Sequence, residues 1–197
     1  CRAPAYPARI ALVISNVPSA QGLLRAEAAL IPARVVDHKD FPTREAFDEA
    51  VDRALREAGV EILCNAGFMR LHSEFFVKRW WNRHLNIHPS LLPAFKGLHT
   101  HERVLAAGAR ITGCTVHFVR PEMDEGPIVA QAAVPVLPGD TADGLAARVL
   151  EAEHRLYPLA LGLVASGRVR VEGERVVGLT QVRAQAPLFS PPPEEAF

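Results

Sequence analysis

The sequence predicts an α/β fold, with a Rossmann-like, mostly parallel sheet and helices on both of its faces. Short β-branched runs such as Ile10–Ser15 are typical of buried strands. Between them lie longer segments whose apolar residues recur every three to four positions, as in amphipathic helices. Alternation of strands and helices indicates a parallel sheet covered on both sides. The 197 residues, 49% of them apolar, are enough for a substantial core.

The expected elements follow one another in a regular order. The predicted strands are residues 9–15, 33–36, 60–64, 86–88, 111–119 and 128–136, with a hairpin over 169–177 that turns at Gly173. The predicted helices are a segment from Ser19 through Leu30, then 44–58, 73–81, 99–107 and 141–165, the last with a kink at Pro158. Ser19, Thr43 and either Asp140 or Thr141 are the expected N-caps, and Gly59 and Gly167 the expected helix ends.

We expect a single domain over residues 1–183, with an N-terminal Rossmann-like half (about 1–82) and a C-terminal half (about 83–183) that carries the chemistry. Residues 184–197 are rich in proline and acidic, and are expected to form a tail that packs poorly.

Composition disfavours several classes of protein. The 22 basic and 22 acidic residues give a net charge of zero, without a basic block, so nucleic acid is not an expected partner. No apolar run approaches about 18 residues, so a membrane span is not expected. Cys1, Cys64 and Cys114 are an odd, widely spaced set, which favours a reducing cytoplasm. The absence of G-x-G-x-x-G gives no reason to infer a dinucleotide.

The segment Asn86–Pro93 combines a strand with polar side chains. Residues two apart on a strand share a face, so Asn86 and His88 should point the same way and Ile87 the other. Pro89 cannot continue the hydrogen-bond ladder and should end the strand. An amide donor and an imidazole thus lie at the carboxyl end of a strand, where open α/β sheets bind ligands.

These residue types suit stabilisation of a tetrahedral oxyanion. Asn86 supplies a neutral N–H donor, and His88 donates more strongly when protonated. A carboxylate within about 4–6 Å would favour the protonated imidazole, and Asp124, in the loop after the next strand, is the candidate. A serine nucleophile is not indicated, because G-x-S-x-G is absent.

Structural alternatives remain for each of these residues alone. A single histidine after a strand is more often a hydrogen-bonded structural residue, and Asp124 before Gly126 is compatible with an ordinary turn. His99, His101 and His117 could suggest a metal site. Their spacing, however, fits no strong zinc pattern, and we expect no metal.

Several motifs together resemble the phosphoribosylglycinamide formyltransferase family. The matching segments are Ala66–Arg70, Asn86–His101, Gly113–Val119, Asp124–Ile128 and Glu153–Pro158. They occur in order with family-like spacing, and the resemblance extends from about residue 9 to the terminal hairpin.

The resemblance implies formyl transfer from 10-formyltetrahydrofolate to the amine of glycinamide ribonucleotide, without a metal. It implies Asn86 and His88 as catalytic groups and Asp124 as the carboxylate that tunes the histidine. The residues that it places around the folate are Arg44, Met69, Arg70, Leu71, His72, Asn86, Arg120, Pro121, Glu122, Met123 and Asp124. Those that it places at the ribonucleotide are Leu150, Glu151, Ala152 and Glu153, with Glu153 at the ribose hydroxyls. Its partners are therefore small molecules, and no oligomeric state is implied.

Two features depart from the family pattern. Asn65, His72 and His84 stand where the family usually has apolar residues near the pterin pocket, and a polar wall there would bond the amide edge of the pterin. The family also opens with a central strand and a phosphate-binding loop at a helix N-terminus, to which nothing here corresponds. We therefore expect about 20 further residues upstream, the usual length of a strand and glycine-rich loop, and a gap in the sheet between residues 9–15 and 60–64.

Two other functions stay open at this point. Formyltetrahydrofolate deformylases share the Asn-x-His strand but give the formyl group to water, and they carry an extra regulatory domain. A folate-binding pseudoenzyme is the non-enzymatic alternative. The tRNA formyltransferases add a C-terminal nucleic-acid domain, for which no residues remain here.

Overall fold

The structure, a computed structural model, describes residues 4–179 and 188–190. Its strands are β1 (Val13–Ser15), β2 (Ala33–Val35), β3 (Leu63–Asn65), β4 (His84–His88), β5 (Ile111–Phe118), β6 (Ile128–Pro135), β7 (Arg170–Glu172) and β8 (Arg175–Val177). Its α-helices are α1 (Gln21–Ala28), α2 (Arg44–Glu57), α3 (Glu74–Arg79), α4 (Thr100–Ala106) and α5 (Ala142–Ala165), and a 3₁₀ turn covers His38–Asp40. The predicted α/β fold, with its long C-terminal helix and hairpin, is confirmed.

The strands form three sheets. β1 pairs with β2 in parallel, and a four-stranded sheet has the order β3-β4-β5-β6. Within that sheet β3 and β4 run parallel, whereas β4–β5 and β5–β6 pair in antiparallel fashion. The sequence pattern did not indicate this reversal, because continuous apolar strands look alike in either direction. β7 and β8 form the predicted hairpin, with Gly173 at φ +60° in its turn.

Local sequence explains most helix boundaries. The hydroxyls of Thr43, Ser73 and Thr141 each accept a backbone N–H three residues on, as N-caps do. The N-cap predicted at Ser19 is wrong. The Ala20 N–H donates to Val17 O and closes a turn, which makes Ala20 the N-cap without a side-chain bond.

Two strands differ from their predicted bounds for reasons of pairing. β1 covers only 13–15 of the predicted 9–15, because its described partner, β2, is three residues long. β3 begins at residue 63 rather than 60. The Val60 N–H still donates to Leu55 O at the end of α2. Leu63 is the first residue to pair with the segment that leads into β4, because its N–H donates to Arg83 O. α5 continues through Pro158 to Ala165, and the kink expected there stays a prediction.

Two hydrophobic clusters hold these elements together. One lies between α2 and α3 and includes Phe47, Phe76 and Trp80. The other packs α5 against one face of the four-stranded sheet and includes Leu85, Val116, Phe118, Val149 and Leu156. The first cluster belongs to residues below 82 and the second mainly to those above it.

In the described residues β1 pairs with β2 alone and β3 with β4 alone, so the two parallel pairs are not joined in one sheet. This agrees with the gap predicted between residues 9–15 and 60–64. Within the described ranges no helix is long and apolar enough to cross a membrane. The predicted tail at 184–197 lies outside the described residues except for 188–190.

Candidate active site

A row of polar side chains crosses the four-stranded sheet on the face opposite to α5. Asn65 on β3 is paired with Asn86 on β4, and Asn86 is paired with His117 on β5. Paired residues on neighbouring strands project from the same face, so the three side chains lie side by side. His84 and His88 share this face by alternation along β4. We call the face that carries these five residues the polar face.

Asn86 and His117 make contact on the polar face. Asn86 Nδ2 is 3.4 Å from His117 Nε2, and His117 Nδ1 is 3.0 Å from Phe118 O. A carbonyl only accepts, so Nδ1 carries the hydrogen and Nε2 accepts from the Asn86 amide. Burial lowers the pKa of His117, although the Phe118 carbonyl and Asp124 oppose that shift, and the neutral ring is favoured. The amide nitrogen of Asn86 is thereby turned toward His117, with its second N–H left over.

His88 is buried and lies between two oxygen atoms. Its Nε2 donates to Phe95 O over 2.9 Å, and its Nδ1 lies 3.4 Å from Asp124 Oδ2. The predicted approach of Asp124 to His88 is therefore present in the structure.

The backbone of two loops fixes the Asp124 carboxylate. Asp124 has φ +57°, in the left-handed region, and its Oδ2 accepts the Gly97 N–H over 2.9 Å. Its Oδ1 lies 3.8 Å from His117 Nε2, so the carboxylate stands between the two histidines. Gly126 allows the loop to pass against β5, since a Cβ there would lie 1.7 Å from Phe118 O. An ion pair between Lys96 and Glu125 also joins the two loops.

The residues predicted around the folate differ in how far their side chains are exposed. Met69, Leu71 and Met123 are exposed apolar side chains, with Met69 74% exposed, and they are available to a ligand. Arg44, Arg70, Pro121 and Glu122 are also exposed. His72, by contrast, has a side chain that is only 6% exposed.

Arg120 is the predicted folate residue whose side chain is fully engaged. Its guanidinium donates to Glu174 on the hairpin over 2.8 Å and to Asn82 over 2.9 Å, and it lies 3.8 Å above the Trp81 ring. A folate contact at Arg120 stays a prediction. Because the guanidinium is already engaged, the backbone of Arg120 would have to make that contact.

The residues predicted at the ribonucleotide lie on the other side of the sheet. Leu150, Glu151, Ala152 and Glu153 are on α5, which packs against the apolar face. Burial raises the pKa of Glu153. The pKa of the Cys114 thiol on β5 is raised to about 12. Burial is the main cause of that rise, and the nearby Glu153 carboxylate adds to it. The structure therefore brings Asn86, His88 and Asp124 together, and holds Glu153 in a separate layer.

Sequence reasoning missed several groups at this site. His117 was considered only as a metal ligand, although its period-2 spacing from Thr115 and Gly113 marks the same strand face. The Gly97 N–H and the Phe95 carbonyl carry no side-chain signal. Among the described residues no group of three or more His, Cys, Asp or Glu stands at metal-binding distance.

Comparison with known proteins gives consistent matches. Residues 1–161 match the family model described as formyl transferase. The chain is 41% identical over 172 residues to phosphoribosylglycinamide formyltransferase of Haemophilus influenzae, covering 87% of this chain and 81% of that protein. It is 58% identical over 168 residues to the trifunctional purine biosynthetic protein adenosine-3 of Gallus gallus, covering 85% of this chain but 17% of that protein. The chain thus spans about a sixth of the length of this trifunctional relative.

A solved structure shares the fold. Glycinamide ribonucleotide transformylase 1 of Symbiobacterium toebii superposes with a TM-score of 0.83 at 50% identity, covering 85% of this chain and 79% of that one.

Proposed function

The chain belongs to the formyl transferase family, and from that premise we propose that it transfers the formyl group of 10-formyltetrahydrofolate to the amine of glycinamide ribonucleotide, a step of de novo purine biosynthesis. The observation that carries the proposal is the grouping of Asn86, His88 and Asp124, with 3.4 Å between His88 Nδ1 and Asp124 Oδ2. An amide donor, an imidazole and a carboxylate are the groups that amine attack on a formyl carbonyl needs.

The reaction requires one bond to form and one to break. The ribonucleotide amine attacks the formyl carbon, and the carbonyl oxygen becomes an oxyanion. The tetrahedral intermediate then collapses, the bond to N10 of the folate breaks, and the proton lost by the amine is balanced by one gained at N10. The products are formylglycinamide ribonucleotide and tetrahydrofolate, so neither metal nor redox partner enters the balance.

Two N–H groups on the polar face are suited to the oxyanion. Asn86 has a second amide hydrogen once the first is given to His117. The Nε2–H of His88 now bonds the Phe95 carbonyl, and in the proposed reaction the oxyanion replaces that carbonyl as acceptor. The second N–H of Asn86 is fixed before the reaction, and such a donor stabilises developing charge without reorganisation, whereas the N–H of His88 has to exchange one acceptor for another. Asp124 balances the charge of His88 and carries protons between the two substrates.

The remaining site assignments are part of the same proposal. The folate lies among Arg44, the Met69–His72 turn and the Arg120–Asp124 loop, where exposed apolar side chains would cover a flat ring. The ribonucleotide binds Leu150–Glu153, with the Glu153 carboxylate accepting from ribose hydroxyls. A single domain over 1–183 and a cytoplasmic location stay predictions. Cys64 and Cys114, both free thiols, are compatible with that location.

The test measures the acceptor of the formyl group. Purified protein is incubated with 10-formyltetrahydrofolate, with and without glycinamide ribonucleotide, and both formylated ribonucleotide and free formate are quantified. We expect formylated ribonucleotide in proportion to tetrahydrofolate, and loss of that product in Asn86→Ala. Formate release that is independent of the ribonucleotide would contradict the proposal in favour of a hydrolase. Folate binding without turnover would contradict it in favour of a pseudoenzyme.

A further inference from the structure

A second histidine–asparagine pair stands next to the proposed catalytic groups. We propose that Asn65, aimed by Asp48 and His72, is a specificity-determining residue that hydrogen-bonds the amide-like edge of the folate ring, where a ring N–H adjoins a carbonyl. This inference rests on the proposed function and names side-chain contacts within it.

The position of Asn65 carries the first step. Asn65 is the last residue of β3 and is paired in register with Asn86, so the two amides are neighbours on the polar face. The carboxyl ends of parallel strands are where ligands bind in open α/β sheets. The side chain of Asn65 is half-buried, and its backbone carbonyl is already satisfied by the Tyr157 hydroxyl over 2.7 Å.

The hydrogen bonds behind Asn65 fix which way its amide points. His72 Nδ1 is 3.0 Å from Asp48 Oδ1, and Asp48 Oδ2 accepts the Ser73 N–H over 2.5 Å. Burial by itself raises the pKa of Asp48, but the bonds from His72 and Ser73 outweigh it and the pKa is lowered. An ionised Asp48 only accepts, so His72 Nδ1 carries the hydrogen.

A hydrogen bond from Asn65 to His72 orients the Asn65 amide. Asn65 Nδ2 lies 3.3 Å from His72 Nε2, and because an amide nitrogen only donates, Nε2 is the acceptor of this pair. One amide hydrogen of Asn65 is thus committed to His72. The other hydrogen and Oδ1 have no partner among the described residues, and they present a donor and an acceptor side by side. A ring edge with an adjacent N–H and C=O is the complement of that pair.

Packing holds His72 in the orientation that this aiming requires. Its ring is stacked between the rings of Phe68 and Phe76. The distances between ring centroids are 4.7 Å to Phe68 and 4.4 Å to Phe76, and both interplanar angles are 12°. A ring held on both faces and bonded at both nitrogens cannot turn over without breaking all four contacts. Asp48, His72 and Asn65 therefore form a rigid support, with Asn65 as its one member at the ligand face.

The principal test separates folate recognition from catalysis. Asn65→Leu removes the donor and the acceptor at similar volume, and the KM for 10-formyltetrahydrofolate should rise about 5- to 100-fold, the scale of two net hydrogen bonds. The kcat at saturating folate and the KM for the ribonucleotide should stay unchanged. Cys64→Ala, on the opposite face of the same strand, is the matched control and should leave all three constants unchanged.

A double-mutant cycle tests the aiming by His72. His72→Phe keeps the aromatic stack and removes both hydrogen bonds, so the KM for folate should rise by a smaller factor than in Asn65→Leu. In the double variant the KM should equal that of Asn65→Leu alone, because the buried side chain of His72, unlike the turn to which it belongs, acts on the folate only through Asn65. The orientation of the Asn65 amide can also be tested with two inhibitors, tetrahydrofolate and its 4-amino-4-deoxy analogue, by comparing their inhibition constants. His72→Phe should narrow the ratio of their inhibition constants, since a freed amide can turn to match either edge.

The outcomes distinguish this inference from the function on which it rests. If wild-type protein transfers the formyl group and Asn65→Leu has an unchanged KM for folate, the inference is overturned and the proposed function stands. Multiplicative effects in the double variant, or an unchanged inhibitor ratio in His72→Phe, overturn the aiming by His72. If wild-type protein forms no formylated ribonucleotide, both proposals fall together.

Discussion

Asn86 and His117 face each other across β4 and β5, with 3.4 Å between the amide nitrogen of one and Nε2 of the other. Because His117 gives its only hydrogen to Phe118 O, it holds the Asn86 amide in one of its two possible orientations. His72 holds Asn65 in the same manner one strand away. The polar face thus carries two neighbouring amides, each oriented by its own histidine.

Asn86→Ala should reduce turnover of formyl transfer by about 10²–10³, the usual effect of removing one oxyanion donor. The folded state should persist, because Asn86 is only half-buried. The measurements are kcat under saturating substrates and a thermal unfolding curve. Ile87→Val, on the opposite face of β4, is the control and should retain turnover. Turnover near the wild-type level in folded Asn86→Ala would exclude the role.

Asp124→Asn should reduce kcat by about 10²–10⁴, the range for a general acid–base group. The neutral amide can still accept the Gly97 N–H, but it neither balances charge on His88 nor carries a proton. Glu125→Gln is the matched control, since it removes the neighbouring carboxylate, which pairs with Lys96 at the surface. Equal losses in the two variants would point to a general effect on the loop instead.

Glu153→Gln should raise the KM for glycinamide ribonucleotide by about 10- to 100-fold, the scale of a hydrogen bond to a charged group. Burial raises the pKa of Glu153, so as pH falls this carboxylate protonates earlier than an ordinary glutamate. The wild-type KM for the ribonucleotide should therefore rise in weakly acidic solution, and the variant should lack that rise. Asp143→Asn, exposed in the first turn of α5, serves as control. A pH-dependent KM that persists in Glu153→Gln would assign the titration to another group.

His84→Leu should stabilise the protein. His84 is 1% exposed, and neither ring nitrogen has a hydrogen-bond partner in the described part of the chain. An unsatisfied buried polar group costs about 1–3 kcal/mol, so the free energy of unfolding should rise by about that amount.

The pH dependence of the same variant gives a second check. Burial lowers the pKa of His84 well below 6.5, and a proton on His72 or His117 would lower it further. In the unfolded chain His84 binds a proton as pH falls through about 6.5, while in the folded protein it stays neutral. Wild-type stability should therefore fall as pH drops below that value, and His84→Leu should flatten the fall. Identical slopes of unfolding free energy against pH would show that His84 does not contribute.

The sequence by itself determined the local features of the site. Strand alternation put Asn86 and His88 on one face, and the structure keeps that pattern in β4. The cap at Thr43 followed from a short-range hydrogen bond between residues three apart, and the same rule left Asp140 and Thr141 as the two candidates for α5, of which the structure has Thr141. The motif from Asn86 to His101 carried the resemblance to a family that the comparisons then showed.

Only the tertiary structure decided which distant groups meet. Sequence spacing left open that β5 runs antiparallel to β4, and this register is what sets His117 against Asn86. Asp48 reaches His72 across 24 residues because α2 and α3 pack through a shared apolar cluster. The His88 partners Phe95 O and Asp124 come from two separate loops. Such contacts depend on strand register and side-chain packing between remote segments, to which short-range periodicity is blind.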